Sequence, residues 1–175
     1  MKRNIVRFLL TLLLVCFTAT VVGDGYNPHA RPFMGSMSGE ATFDFTTGAC
    51  LDVTGAPWQS IGSMAGNLTH LGQAEWYVSH CSTPDGMRLV NGEGTMVAAN
   101  GDEIWMTYTA ELVSHDEFPP LPAVLVYAQV NIVTGGSGRF EGASGELLSL
   151  IFVTIEDLTV LTTPVDVQFA GNITY

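Results

Sequence analysis

Residues 165–175 read VDVQFAGNITY, and they decide the fold. Val165, Val167, Phe169, Gly171, Ile173 and Tyr175 alternate with Asp166, Gln168, Ala170, Asn172 and Thr174. A period of two puts successive side chains on opposite faces, so the stretch reads as a strand with one apolar face. Left unpaired, so regular a strand is an edge open to aggregation. A second stretch of the same period supplies a partner. Phe33, Gly35, Met37, Gly39, Ala41, Phe43 and Phe45 point one way, and Ser36, Ser38, Glu40, Thr42, Asp44 and Thr46 the other. Pairing the first strand with the last removes the edge by closure, which favours a barrel over a sandwich.

Working inward, Ile61 to Cys81 carries Gly62, Gly66 and Gly72 and divides near Leu71 and Gly72 into two strands. Thr83, Pro84, Asp85 and Gly86 form a turn, and strands over 87–99 and 102–113 flank the hairpin signal Asn100-Gly101. A two-residue loop there predicts that Val97 faces Ile104 and Thr95 faces Met106 on the core side. The stretch 114–122, SHDEFPPLP, contains three prolines and reads as an irregular loop in which Phe118 and Leu121 need apolar cover. Strands follow over 123–133 and 146–156, joined by a glycine-dense connection at 134–145. Eight strands and no convincing helix after residue 23 predict an all-β fold, a closed antiparallel eight-stranded barrel with a sandwich as the alternative.

Before the barrel domain, 33–175, the chain has two further parts. Residues 1–23 read as a secretory signal: Lys2, Arg3 and Arg7 precede an apolar run from Phe8 to Val22, with Val21 and Gly23 suited to a cleavage site; an uncleaved anchor is the alternative. Residues 24–32, DGYNPHARP, read as a leader. The address is therefore secreted, periplasmic or cell-envelope, with no membrane association after cleavage. Beyond Arg7 the chain has three arginines, no lysine and all 17 acids, a formal charge of −14. So acidic a body repels nucleic acid and anionic bilayers. Removal of Cys16 leaves Cys50 and Cys81, an even pair suited to a disulfide in an oxidising compartment, two free buried thiols being the alternative.

Five segments carry a family resemblance: PFMGSMSGEATFDF (32–45), GNLTHLGQAEW (66–76), GEGTMVAANGDEIWMTYTAE (92–111), GGSGRFEGASGE (135–146) and VQFAGNITY (167–175). In this order they resemble the exported bacterial proteins of the allene oxide cyclase and dirigent-like barrel superfamily. The resemblance implies an eight-stranded barrel and a homo-oligomer. It implies no reaction, because no segment maps position by position onto the working residues of the cyclases or of the radical-orienting dirigent proteins.

Among polar side chains, His70 and Glu75 are the speculative catalytic pair, an imidazole and a carboxylate five residues apart that only a bend at Gly72 could unite. His29, His80 and His115 are scattered without ligand spacing, and the paired acids such as Asp102-Glu103 and Glu156-Asp157 lack a calcium pattern, so no metal is expected. Glycines 135–145 lack the lysine of a phosphate loop, and no cofactor is expected. Arg139 reads as a structural partner of Glu141 or another acid. An apolar set including Trp58, Trp76, Trp105, Met37, Met96 and Phe169 suffices to fill a small barrel or to line a pocket.

Beside a protein-interaction module that uses the proline loop around Phe118 and Leu121, two functions compete on this basis. One is an extracytoplasmic barrel that binds a small hydrophobic molecule or persists as a stable domain. The other is a cofactor-free isomerase or cyclase that shapes a reactive hydrophobic substrate inside the barrel.

Overall fold

The computed structural model describes residues 29–46, 48–116, 121–157 and 159–175. The expected signal segment 1–23, most of the expected leader and Phe118 lie outside them. Eight strands close into one antiparallel barrel in chain order: β1 (Arg31–Asp44), β2 (Gln59–Leu68), β3 (Gly72–Ser82), β4 (Arg88–Ala98), β5 (Glu103–His115), β6 (Ala123–Gly136), β7 (Ser144–Ile155) and β8 (Thr162–Thr174). β1 pairs with β8 from Arg31↔Ile173 to Thr42↔Thr162, the closure expected of the two period-two stretches. Strand β1 starts at Arg31, so the last two residues of the expected leader are strand. The other departures are local: β2 starts at Gln59, β5 runs on to His115, β6 runs on to Gly136, and a four-residue helix α1 (Leu51–Thr54) and a single 3-10 turn (Gly138–Phe140) occupy two connections.

The hairpin between β4 and β5 corrects an expectation. Met96 pairs with Ile104 and Thr95 with Trp105, not Val97 with Ile104 and Thr95 with Met106. The loop has three residues, Ala99 to Gly101, closed by a hydrogen bond from Ala98 N to Asp102 O (2.9 Å), with Gly101 at φ +85° in the left-handed region. A turn followed by one left-handed residue adds a position, and one added position moves the register by one. Met96, Ala98, Ile104 and Met106 are consequently the residues nearest the turn that this hairpin buries.

A second adjustment lies in β4 at Val90 and Asn91. Cys81 pairs with Val90 and Ser79 with Glu93, while Leu89 pairs with Ala110 and Gly92 with Tyr108, so β4 carries an extra residue against both neighbours. Asn91 takes it up at φ +50°, a region that asparagine tolerates. The bulge reverses the alternation, so odd-numbered Leu89 and even-numbered Gly92 and Gly94 all face inward. The missing side chains at Gly92 and Gly94 make room for rings: a Cβ on Gly92 would lie 2.3 Å from the Tyr108 ring, and one on Gly94 2.6 Å from Nε1 of Trp76. Trp105 points outward instead, its indole N–H donating to Glu103 (2.7 Å) and its ring against Gly135.

The two ends of the barrel differ. At the end bearing the 69–71, 99–102 and 137–143 connections, Phe33, Ile104, Phe140, Leu147 and Ile173 are completely buried and close the lumen, with Phe140 packed edge-on to Tyr175 at 4.8 Å. The opposite end carries the connections 45–58, 83–87, 116–122 and 156–161. There Cys50, in the β1–β2 connection, is bridged to Cys81 of β3.

Candidate functional site

The lumen is filled through the closed half and opens into a cavity of ≈ 60 Å³ in the other. Its apolar wall includes Met64, Trp76, Leu89, Ile151 and Val165, every strand contributing to the lining. That space accommodates a handful of water-sized groups, well short of the 300–1,000 Å³ of a site that encloses a drug-sized molecule. Into this apolar wall are set His80, Tyr108, Gln129 and Thr163, from β3, β5, β6 and β8.

Gln129 is oriented by what lies beneath it. Asn131 Nδ2 donates to the Leu147 carbonyl (3.1 Å) and to Ser149 Oγ (3.0 Å), which turns Asn131 Oδ1 toward Gln129 to accept from its Nε2. The Gln129 amide has then used its nitrogen, and its Oε1 is left buried with no donor. Thr163 Oγ1 is likewise buried and unpaired. Such atoms are costly where water is excluded, because each gives up hydrogen bonds that the unfolded chain makes to solvent. With the Trp76 indole N–H, also buried and unpaired, three such atoms belong to residues lining one cavity, each residue no more than 3% exposed, and they mark a place prepared for polar groups that the protein itself does not supply.

His80 and Tyr108 form the titratable pair of the cavity, Nδ1 and the phenol oxygen lying 2.9 Å apart, while the same hydroxyl is 3.4 Å from the Ser79 carbonyl. The Ser79 carbonyl can only accept, so Tyr108 donates to it and accepts from the Nδ1–H of a neutral imidazole. Burial favours the uncharged form of each: it lowers the His80 pKa to about 4 and raises that of Tyr108. Tyr127, raised by burial as well, donates to the Gly86 carbonyl (2.9 Å) and ties the β3–β4 connection to the cavity.

The fold does not bring His70 and Glu75 together. His70 lies in the β2–β3 turn at φ +69°, its Nε2 2.9 Å from the Pro32 carbonyl and its ring edge-on to Tyr175, at the closed end. Glu75 faces outward from the wall of β3 and accepts a hydrogen bond from the Tyr77 hydroxyl. Arg139 pairs with Asp102 at 3.3 Å. Among the described residues no group of three or more histidines, cysteines or acids could hold a metal ion. A larger concavity of ≈ 940 Å³ lies outside the barrel on β1, β8 and β7, but none of the buried unpaired polar atoms belongs to it.

Comparison with known proteins bears on the fold. Among solved structures the chain is similar to a pterocarpan synthase dirigent protein, with a TM-score of 0.50 and 13% sequence identity over 86% of this chain and 89% of that one. The fold is that of a dirigent-type barrel. No family model and no curated protein matches the sequence. At this identity the likeness concerns architecture alone, so the chemistry of the dirigent-type barrel rests on its own side chains.

Proposed function

We propose that this protein is a secreted or cell-envelope barrel that captures a small, mainly apolar molecule at its open end. The observation that carries the reading is the pair of buried, unpaired oxygens, Gln129 Oε1 and Thr163 Oγ1, in an otherwise apolar cavity. A ligand with a hydrogen-bond donor on an apolar skeleton would satisfy Gln129 while its skeleton lies against Trp76, Leu89 and Ile151. The Cys50–Cys81 bridge supports an oxidising compartment. Among the described residues no helix is long and apolar enough to cross a membrane.

Native mass spectrometry of the mature protein, purified gently from its own envelope or medium, tests this reading. A reproducible small-molecule adduct that is released on denaturation and weakened by Thr163→Val is the expected result. A bare protein that also takes up no apolar alcohol or phenol when titrated with one would overturn it.

One observation favours a second reading, a cofactor-free isomerase. His80 and Tyr108 line the cavity in contact with each other, and a neutral imidazole beside a phenol can take up and return a proton on one substrate. Turnover of a bound molecule that disappears in His80→Gln while binding persists would establish that reading over simple capture.

A further inference from the structure

The unmet hydrogen bonds of the cavity wall state what its ligand must carry. Gln129 Oε1 is an acceptor with no donor, and the Trp76 indole N–H is a donor with no acceptor. His80 adds a second acceptor. Its Nδ1–H is used on Tyr108, which leaves the lone pair of Nε2 bare, and among the described residues no hydrogen bond reaches that nitrogen. Tyr108 and Tyr127 are spent on the Ser79 and Gly86 carbonyls. The hydroxyls of Ser60, Ser82 and Thr163 can turn to serve either need. What the wall requires of a ligand is therefore two donors and one acceptor.

The wall also sets the charge. Among the described residues the lining holds no aspartate, glutamate, lysine or arginine, and burial keeps His80 neutral. A carboxylate or ammonium head would lose its water there without gaining a counter-ion. A ketone, ester or ether is neutral but only accepts, so it leaves Gln129 and His80 as bare as before. A single hydroxyl donates once. A primary carboxamide is neutral and carries two N–H donors and one carbonyl acceptor, which meets the three needs in number and in kind.

We infer that the ligand of this cavity is a neutral primary amide on an apolar skeleton. Its head group lies among Gln129, His80 and Trp76, and its skeleton runs along Leu89 and Ile151 toward the open end. The inference rests on the proposed capture of a small apolar molecule and adds the chemistry of its head.

Four probes of nearly equal length separate the possibilities: hexanamide, 1-hexanol, hexanoate, and 2-heptanone, in which a methyl group replaces the amide nitrogen. Each is titrated at pH 7.5 into the mature, disulfide-bonded, nitrogen-15-labelled protein, with binding followed by NMR at the Trp76 indole N–H and the Gln129 side-chain amide. Hexanamide should bind one to one and move both resonances. It should exceed 1-hexanol by about 3–10-fold and 2-heptanone by the same factor again, one factor for each donor lost, with hexanoate the weakest. Gln129→Met keeps the length of the side chain without its carbonyl and should cost hexanamide one such factor; if that variant does not fold, the order of the probes on the wild type decides. Another probe binding as tightly as hexanamide, hexanamide binding without movement at Trp76 and Gln129, or unchanged affinity in a folded Gln129→Met overturns the head-group assignment and leaves the capture reading standing. Failure of every probe to bind overturns both.

Discussion

Tyr108 of β5 reaches over β4 to place its hydroxyl 2.9 Å from Nδ1 of His80 on β3, and it passes above Gly92, where any side chain would occupy the space of its ring. The polar pair of the cavity therefore depends on a residue with no side chain. Gly92 has this role because the Asn91 bulge turns it inward.

Gly92→Ala should consequently act through Tyr108. A Cβ 2.3 Å from a ring carbon forces the ring away, at the ~1–3 kcal/mol typical of an overpacked core. Trp76 lies 6.1 Å from the Tyr108 ring, centroid to centroid, so its near-ultraviolet dichroism should change with the displacement. Wild-type stability and spectrum in this variant would show that the ring has space to spare.

Stability should fall on acidification through His80. Its pKa is lowered by burial from 6.5 to about 4, so the folded state prefers the neutral ring. The contribution is complete above about pH 6.5 and is lost as the pH falls toward 4, amounting to up to ~3 kcal/mol. Urea denaturation at pH 7.5 and 4.5 measures it, with His80→Gln as the reference. The exposed carboxylates Asp85 and Asp157 also lose stability in acid, but they remain in the variant and cancel. An identical pH dependence in the variant would remove His80 from the account.

Replacing Thr163 with valine should raise stability while weakening ligand binding. The valine has nearly the same shape and removes a buried hydroxyl without a partner, for a gain of ~1 kcal/mol. Thermal denaturation without ligand gives the sign. A clear loss of stability would mean that the hydroxyl is already satisfied, by ordered water for example, and is not held ready for a ligand.

The Cys50–Cys81 bridge spans a sequence separation of 31 and ties the first rim connection to β3. Chain entropy attributes about 3–4 kcal/mol to closing such a loop in the unfolded state. Cys50→Ser with Cys81→Ser should lose stability of this order. Because the bridge lies at the open end, amide exchange should rise first over residues 48–58 and leave the Phe140 end protected. Uniform loss of protection along the chain would contradict this division into a secured end and a stapled one.

Much of the barrel was legible in the linear pattern, because a strand declares its two faces through nearest neighbours. Phe33 to Phe43 and Val165 to Ile173 show their inward residues directly, and so do Ile104 and Met106, whereas Trp105, counted from the sequence among the residues that fill the barrel or line a pocket, faces outward. The β4–β5 register failed by one position, since Asn100-Gly101 marks a turn without stating whether two or three residues form it. The catalytic pair proposed from sequence, His70 and Glu75, rested on proximity along the chain; the structure puts one in a turn at the closed end and the other on the outer wall.

What the sequence by itself determined is therefore the set of local preferences: eight strands, the apolar faces of most of them, an acidic body and two cysteines beyond residue 23. These follow from side-chain alternation and charge, which need no knowledge of distant residues. Only the tertiary structure decided which polar side chains share a site. His80, Tyr108, Gln129 and Thr163 stand on four strands, and their convergence depends on registers, a bulge at Asn91 and the closure of β1 on β8. Each of those is a long-range pairing, set by how the whole sheet buries its faces and invisible in any short window of sequence.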